Sequence, residues 1–308
     1  MAASPELHRI GFLLWISLLT VRRAEDWSIA LKFCHVILEL SCLDGAFTSE
    51  HRNILSQFPR LCAVLVDSHG DVKTDATNRF AYRNIFSSLP ASLRRLEIRH
   101  AHGPDIQVIS TVKKCCPDLQ ELWLGRCTMF NRAPACRFWE TFPFDHNSYI
   151  SDEGTDAYAH SLGQELAPLH NLEVLRLGVY LTPSNIVLAH RAFHSRNLPG
   201  PDVIDWQQAL APLVDNHVAA PLNGTQVQHL VLLLHQRPDP KKKFSADACQ
   251  FCREQFYTAT MTAEESASAI LKTVVPSLHR IDWMSWFTPQ HLGVSSRYYR
   301  PADCNHSI

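Results

Sequence analysis

The sequence predicts an α/β chain that stacks short strand-and-helix units into one curved parallel sheet, with helices on its outer face and a helical segment at its N-terminus. Three features predict it. A frame of Leu-type residues spaced Leu-x-x-Leu-x-Leu recurs along the chain. Prolines stand shortly before the first position of most copies, where they end one element and pass the chain to an extended one. Segments of helical character lie upstream of most copies, and a half-buried strand and an amphipathic helix cannot both bury their apolar sides without stacked neighbours.

In chain order, "IGFLLWISLLTV" (Ile10 to Val21) comes first, a run of 12 nearly continuous apolar residues. It is too short to span a bilayer, and Arg22, Arg23, Glu25 and Asp26 follow where a signal peptide would place small residues. A buried helix is expected, within an N-terminal cap of residues 1–35. A first strand is expected at "HVILEL" (His35 to Leu40). The frame then runs through Leu61, Val64 and Val66; Leu93, Leu96 and Ile98; Leu119, Leu122 and Leu124; Leu172, Leu175 and Leu177; Val227, Leu230 and Leu232; and Leu278, Ile281 and Trp283.

Pro59, Pro117 and Pro276 precede three of these copies by two residues, with Pro90 and Pro168 slightly earlier in two others. Helices are expected at "SEHRNILSQF", "DIQVISTVKKCC", "DEGTDAYAHSLGQEL" and "TAEESASAILKTVV", the last opened by a capping box of Thr262 and Glu265. A leucine-rich repeat runs about 20–29 residues, so the step from 93 to 119 is one unit and the longer steps carry two units or an insertion. The expected architecture is an irregular leucine-rich-repeat solenoid over residues 36–300, with a tail at 301–308.

Composition narrows the function. With 46% apolar residues in 308, the chain buries a core without staples. Its 29 Lys and Arg against 30 Asp and Glu give no field to recruit nucleic acid. Ten Cys in mostly apolar surroundings read as reduced core thiols, with Cys127 where the chain turns inward after a strand. No Gly-rich phosphate loop, nucleophile elbow, His-Glu-x-x-His helix or dinucleotide fingerprint occurs, so no enzyme and no cofactor is expected.

Cys116-Pro117-Asp118-Leu119-x-x-Leu122-x-Leu124-x-x-Cys127 resembles the cysteine-containing leucine-rich repeat of F-box proteins, and the irregular inserts resemble the divergent F-box-like repeat proteins of fungi. "SPELHRI" (Ser4 to Ile10) and "DWSIALKFC" (Asp26 to Cys34) are similar to the opening and closing phrases of an F-box. The resemblance implies a substrate receptor of a cullin-based ubiquitin ligase, its N-terminal segment on the adaptor and its sheet on the target. The alternative is a free-standing interaction scaffold in which residues 1–35 only cap the core. Either reading expects a cytoplasmic or nuclear protein with a protein partner, without nucleic acid and without a membrane span.

Strand alternation assigns the residues between the buried leucines to the concave face. That row holds Arg95, Glu97, Arg99, Glu121, Trp123, Arg176, His229, Arg280 and Asp282, the candidate protein-binding residues. No metal is expected: "CQFC" (Cys249 to Cys252) lacks a second close pair and reads as helix, and "HAH" (His100 to His102) reads as a loop. "KKK" (Lys241 to Lys243) and the stretches 130–150 and 194–225 read as solvated insertions.

Overall fold

The computed structural model describes residues 4–74, 80–127, 154–181, 254, 257–285 and 293–300. In chain order these form α1 (Pro5–Ile16), β1 (Leu18–Val21), α2 (Trp27–Lys32), β2 (Glu39–Cys42), β3 (Ala63–Asp67), β4 (Val72–Thr74), β5 (Phe80–Tyr82), β6 (Arg95–Ala101), α3 (Asp105–Cys115), β7 (Glu121–Arg126), α4 (Thr155–Leu166), β8 (Val174–Leu177), α5 (Thr258–Val274), β9 (Arg280–Ser285) and β10 (Gly293–Tyr298). Eight strands make one sheet in the order β1-β2-β3-β6-β7-β8-β9-β10, and β4 and β5 form a separate antiparallel pair. Within the eight-stranded sheet, β1, β2, β3, β6, β7, β8 and β9 run parallel to one another, and β10 returns antiparallel along β9.

The Leu frame sets the register. Leu19, Leu40, Val64, Leu96, Leu122, Leu175 and Ile281 face one another across seven strands, as do Val21, Cys42, Val66, Ile98, Leu124, Leu177 and Trp283. Apart from half-buried Leu19, these residues are buried in a common core. The first frame position recurs as well. Leu61, Leu93, Leu119, Leu172 and Leu278 are buried, and each donates its N–H to the carbonyl three residues back, closing a tight turn before the strand.

One further backbone feature repeats along the sheet. The carbonyls of Ser17, Leu38, Cys62, Arg94, Gln120 and Glu173 each accept two consecutive N–H groups from the next strand's beginning, at 2.8–3.2 Å. Shared acceptance of this kind satisfies donors that would otherwise be buried unpaired. On the core side, Ile109 and Val112 of α3, Ala159, Leu162 and Leu166 of α4, and Ala267 and Leu271 of α5 complete the interior. The Gly163 backbone lies so close to Val274 that a Cβ there would stand 3.1 Å from its side chain, which fixes the spacing of α4 and α5.

Several sequence expectations are corrected. The N-terminal apolar run is not a buried helix: α1, capped by Ser4, leaves Leu14 and Trp15 66% and 67% exposed and buries only Ile16. Its end, Leu18 to Val21, becomes a strand because pairing with β2 satisfies its backbone and buries Val21. The sheet therefore begins within residues 1–35. The first expected strand starts later, at Glu39, since Val36 and Ile37 donate to Phe33 O in a turn that closes α2. "SEHRNILSQF" forms two 3-10 turns, Ser49–His51 and Ile54–Gln57, rather than a helix; the Asn53 side chain between them is taken by the Ser87 hydroxyl at 2.6 Å. Thr262 caps nothing, because α5 starts a turn earlier and holds it inside.

The copy at Val227, the insertions at 130–150 and 194–225, Lys241 to Lys243, Cys249 to Cys252 and the tail at 301–308 lie outside the described residues. Among the described residues no helix is long and apolar enough to cross a membrane.

The far end of the sheet holds a buried ion pair. Glu264 of α5 is 0% exposed and stands 3.1 Å from Arg297 of β10. Burial pushes its carboxyl up to about 7 against the opposing pull of Ser295 and Arg297. Below 4.5 the folded and unfolded chains both keep this proton; as pH rises towards 7 only the unfolded chain releases it, so stability is lost over that interval. Urea midpoints measured from pH 4.5 to 8 should fall by the equivalent of about 2–3 kcal/mol and then level off, and Glu264→Gln should remove this component of the slope.

Candidate functional site

Opposite the core, the alternate residues of the same strands make two rows that are polar apart from Ala63, Leu65 and Val174. One runs Glu39, Ala63, Arg95, Glu121, Val174, Arg280 and Tyr298; the other runs Ser41, Leu65, Glu97, Trp123, Arg176, Asp282 and Ser296. Arg95, Glu97, Glu121, Trp123, Arg176, Arg280 and Asp282 thus share one face, with Arg99 two residues beyond Glu97 in β6. His229 lies outside the described residues.

Half-buried Trp123 is the centre of this surface. Arg99 from one side and Arg176 from the other bring their guanidinium carbons to 5.7 Å and 5.4 Å from its ring, within cation–π reach. A shallow depression of about 230 Å³ opens beside it, lined by Arg95, Glu97, Glu121, Trp123, Val174 and Arg176.

The charges are arranged in pairs. Arg95 Nη2 bonds Glu39 at 2.9 Å, and Arg99 Nε bonds Glu97. Asp282 departs from the expected exposed row: it is 1% exposed, closed over by two arginines. Arg280 Nε donates to its Oδ1 at 2.9 Å, while Arg176 Nε stands 3.3 Å from Oδ2 without hydrogen-bond alignment. That bond to Asp282 raises the Arg280 pKa further, and the Arg280 guanidinium lies 5.5 Å from the Tyr298 ring. Glu121, on the same face beside Trp123, makes no close ion pair among the described residues, and its charge acts on Arg280.

The six described cysteines are thiols. Cys62 and Cys116 donate weakly to Leu38 O at 3.1 Å and Pro90 O at 3.3 Å, and burial pushes the Cys116 thiol up to about 12. Cys116 is therefore a packing residue rather than a nucleophile.

The strand ends assemble side chains that the sequence did not join. The "HAH" tripeptide is not a loop, because His100 and Ala101 are the last residues of β6 and Ala101 pairs with Arg126; His102 follows β6, His69 follows β3, and Cys127 follows β7. One ligand-type atom from each lies within 4.8 Å of the others. Their common signal is position: all three stand just past the C-terminal ends of strands that neighbour one another in the sheet.

Comparison with known proteins finds no matching family model, no matching curated protein and no matching solved structure.

Proposed function

We propose that this chain is a non-catalytic protein-recognition module, an irregular leucine-rich-repeat solenoid of F-box-like type whose polar sheet face holds a protein target. The observation that carries the reading is Trp123, half-buried between Arg99 and Arg176 with Glu121 on the same face. An aromatic ring held in place by arginines on rigid strands is the composition of a binding hot spot. The apolar outer side of α1 supports a role as substrate receptor for a cullin-based ubiquitin ligase: Leu7, Ile10, Leu14 and Trp15 are at least half exposed and await a partner.

Two substitutions test the two halves separately. Trp123→Ala should weaken binding to a partner found by proximity labelling by about 2 kcal/mol, while thermal stability changes by no more than about 1 kcal/mol, the scale of its cation–π contacts. A large loss of stability with unchanged binding would assign Trp123 to packing. Full-length protein should co-purify with the ligase adaptor, and Leu14→Glu with Trp15→Glu should end that without unfolding the chain. If the unaltered protein captures no adaptor, the ligase role falls and the free-standing scaffold stands.

A further inference from the structure

We propose that His69, His102 and Cys127 form a divalent-metal site of zinc type, tying together the ends of β3, β6 and β7. The site is independent of the recognition surface and stands on its own geometry. Two imidazoles and a thiolate are borderline-soft donors, the set that selects Zn2+ over Mg2+ or Ca2+. Their ligand atoms lie within 4.8 Å of one another. A tetrahedral zinc ion holds such atoms about 3.5 Å apart, so a closing movement on the order of 1 Å completes the three bonds.

The surroundings are those of a metal site rather than of a chance cluster. His102 is buried and has its Nδ1 2.8 Å from Asp71 Oδ1, so a metal would be met by Nε2. The other Asp71 oxygen accepts from the backbone N–H groups of His102 at 2.9 Å and Gly103 at 2.8 Å, which locks the carboxylate in place. A carboxylate bound to the far nitrogen of a histidine fixes its tautomer and raises its strength as a ligand. His69 has the same arrangement at longer range, with Nδ1 3.5 Å from Asp44. Its Nε2 is buried and without a hydrogen-bond partner among the described residues, a vacancy that metal coordination would fill. The two rings stand 5.2 Å apart, tilted rather than stacked.

The fold also invests in the placement. The register between β6 and β7 shifts between Ile98 and Ala101, and His100 adopts φ 54°, a left-handed conformation uncommon outside glycine. Such a bulge re-aims the side chains that follow it, and here His102 follows. Arg126, next to Cys127, donates to Gly103 O at 3.1 Å and pairs with Asp105 at 2.9 Å, holding the His102 loop against the end of β7. On binding, the Cys127 thiol gives up its proton to solvent and the thiolate becomes the anionic ligand.

The test is a titration of the metal-stripped full-length chain with Co2+ as spectroscopic probe and with Zn2+ in competition. One equivalent of Co2+ should bind with the charge-transfer band of a cobalt–thiolate bond, and Zn2+ should bleach it. Cys127→Ser should abolish the band. His69→Gln, at a partly exposed position, should weaken binding with the metal-free chain still folded by circular dichroism, and Asp71→Asn should weaken it about 10- to 100-fold. Cys249→Ser with Cys252→Ser should leave the band unchanged. No thiolate band at saturating Co2+ would overturn the site. So would a band that survives Cys127→Ser, or one that disappears with the Cys249 and Cys252 substitutions.

Discussion

Replacing Leu122 by Ala should lower the unfolding free energy by about 2–5 kcal/mol, the cost of removing a buried leucine together with the cavity left behind. Leu122 is 1% exposed and lies mid-sheet, flanked in its row by Leu96 and Leu175. What a cavity costs depends on whether its walls can close. Here they cannot readily do so, because each flanking leucine is fixed to a strand hydrogen-bonded on both sides. The same truncation at Leu19, half-buried on the edge strand, should cost clearly less. Urea denaturation of the two variants measures the difference. A loss below about 1 kcal/mol at Leu122, far under the range for buried leucines, would remove it from the interior and break the register on which the polar face depends.

That register was readable because it is written twice, in the Leu spacing and in the prolines before it. Period-two alternation puts Leu122 and Leu124 inside and Glu121 and Trp123 outside once one of them is assigned. The N-terminus was harder for a physical reason. A continuous apolar run has no period, so nothing in "IGFLLWISLLTV" says that α1 remains exposed or that Leu18 to Val21 leave the helix to pair with β2. In place of the helix expected at Ser49, the Arg52 carbonyl accepts from Ser87 N–H and Ser56 N–H turns to Asn53 O, a tertiary contact that local preference does not register.

For the candidate site, alternation placed the row but not its depth. Whether Asp282 meets solvent depends on two arginines, Arg280 on its own strand and Arg176 on the next, and the second is invisible until β8 and β9 are paired. The metal-type cluster is a stronger case. His69, His102 and Cys127 are far apart in sequence, and none sits in a ligand motif. Their shared feature, being just beyond the ends of neighbouring strands, becomes informative only when the strand order is known.

Asp282→Ala is expected to cost about 3 kcal/mol, the low end for breaking a buried ion pair. The carboxylate is essentially fully buried, whereas the side chains of Arg176 and Arg280 are 33% and 29% exposed, so water can partly solvate the guanidiniums left behind. Removing Glu39 should cost under about 1 kcal/mol, because Glu39 and Arg95 form an exposed pair of the kind that contributes little. Salt separates the two cases further: raising ionic strength should erase the Glu39 effect and leave most of the Asp282 effect, since screening ions reach only the former. If the polar face is the recognition surface proposed above, Asp282 bears on it too, because it is the anion paired with Arg176 beside Trp123. The Asp282 variant should therefore lose partner affinity along with stability, while Glu39→Ala keeps both. Equal, salt-sensitive losses in the two variants would mean that Asp282 is a surface charge and that Arg176 is positioned by something else.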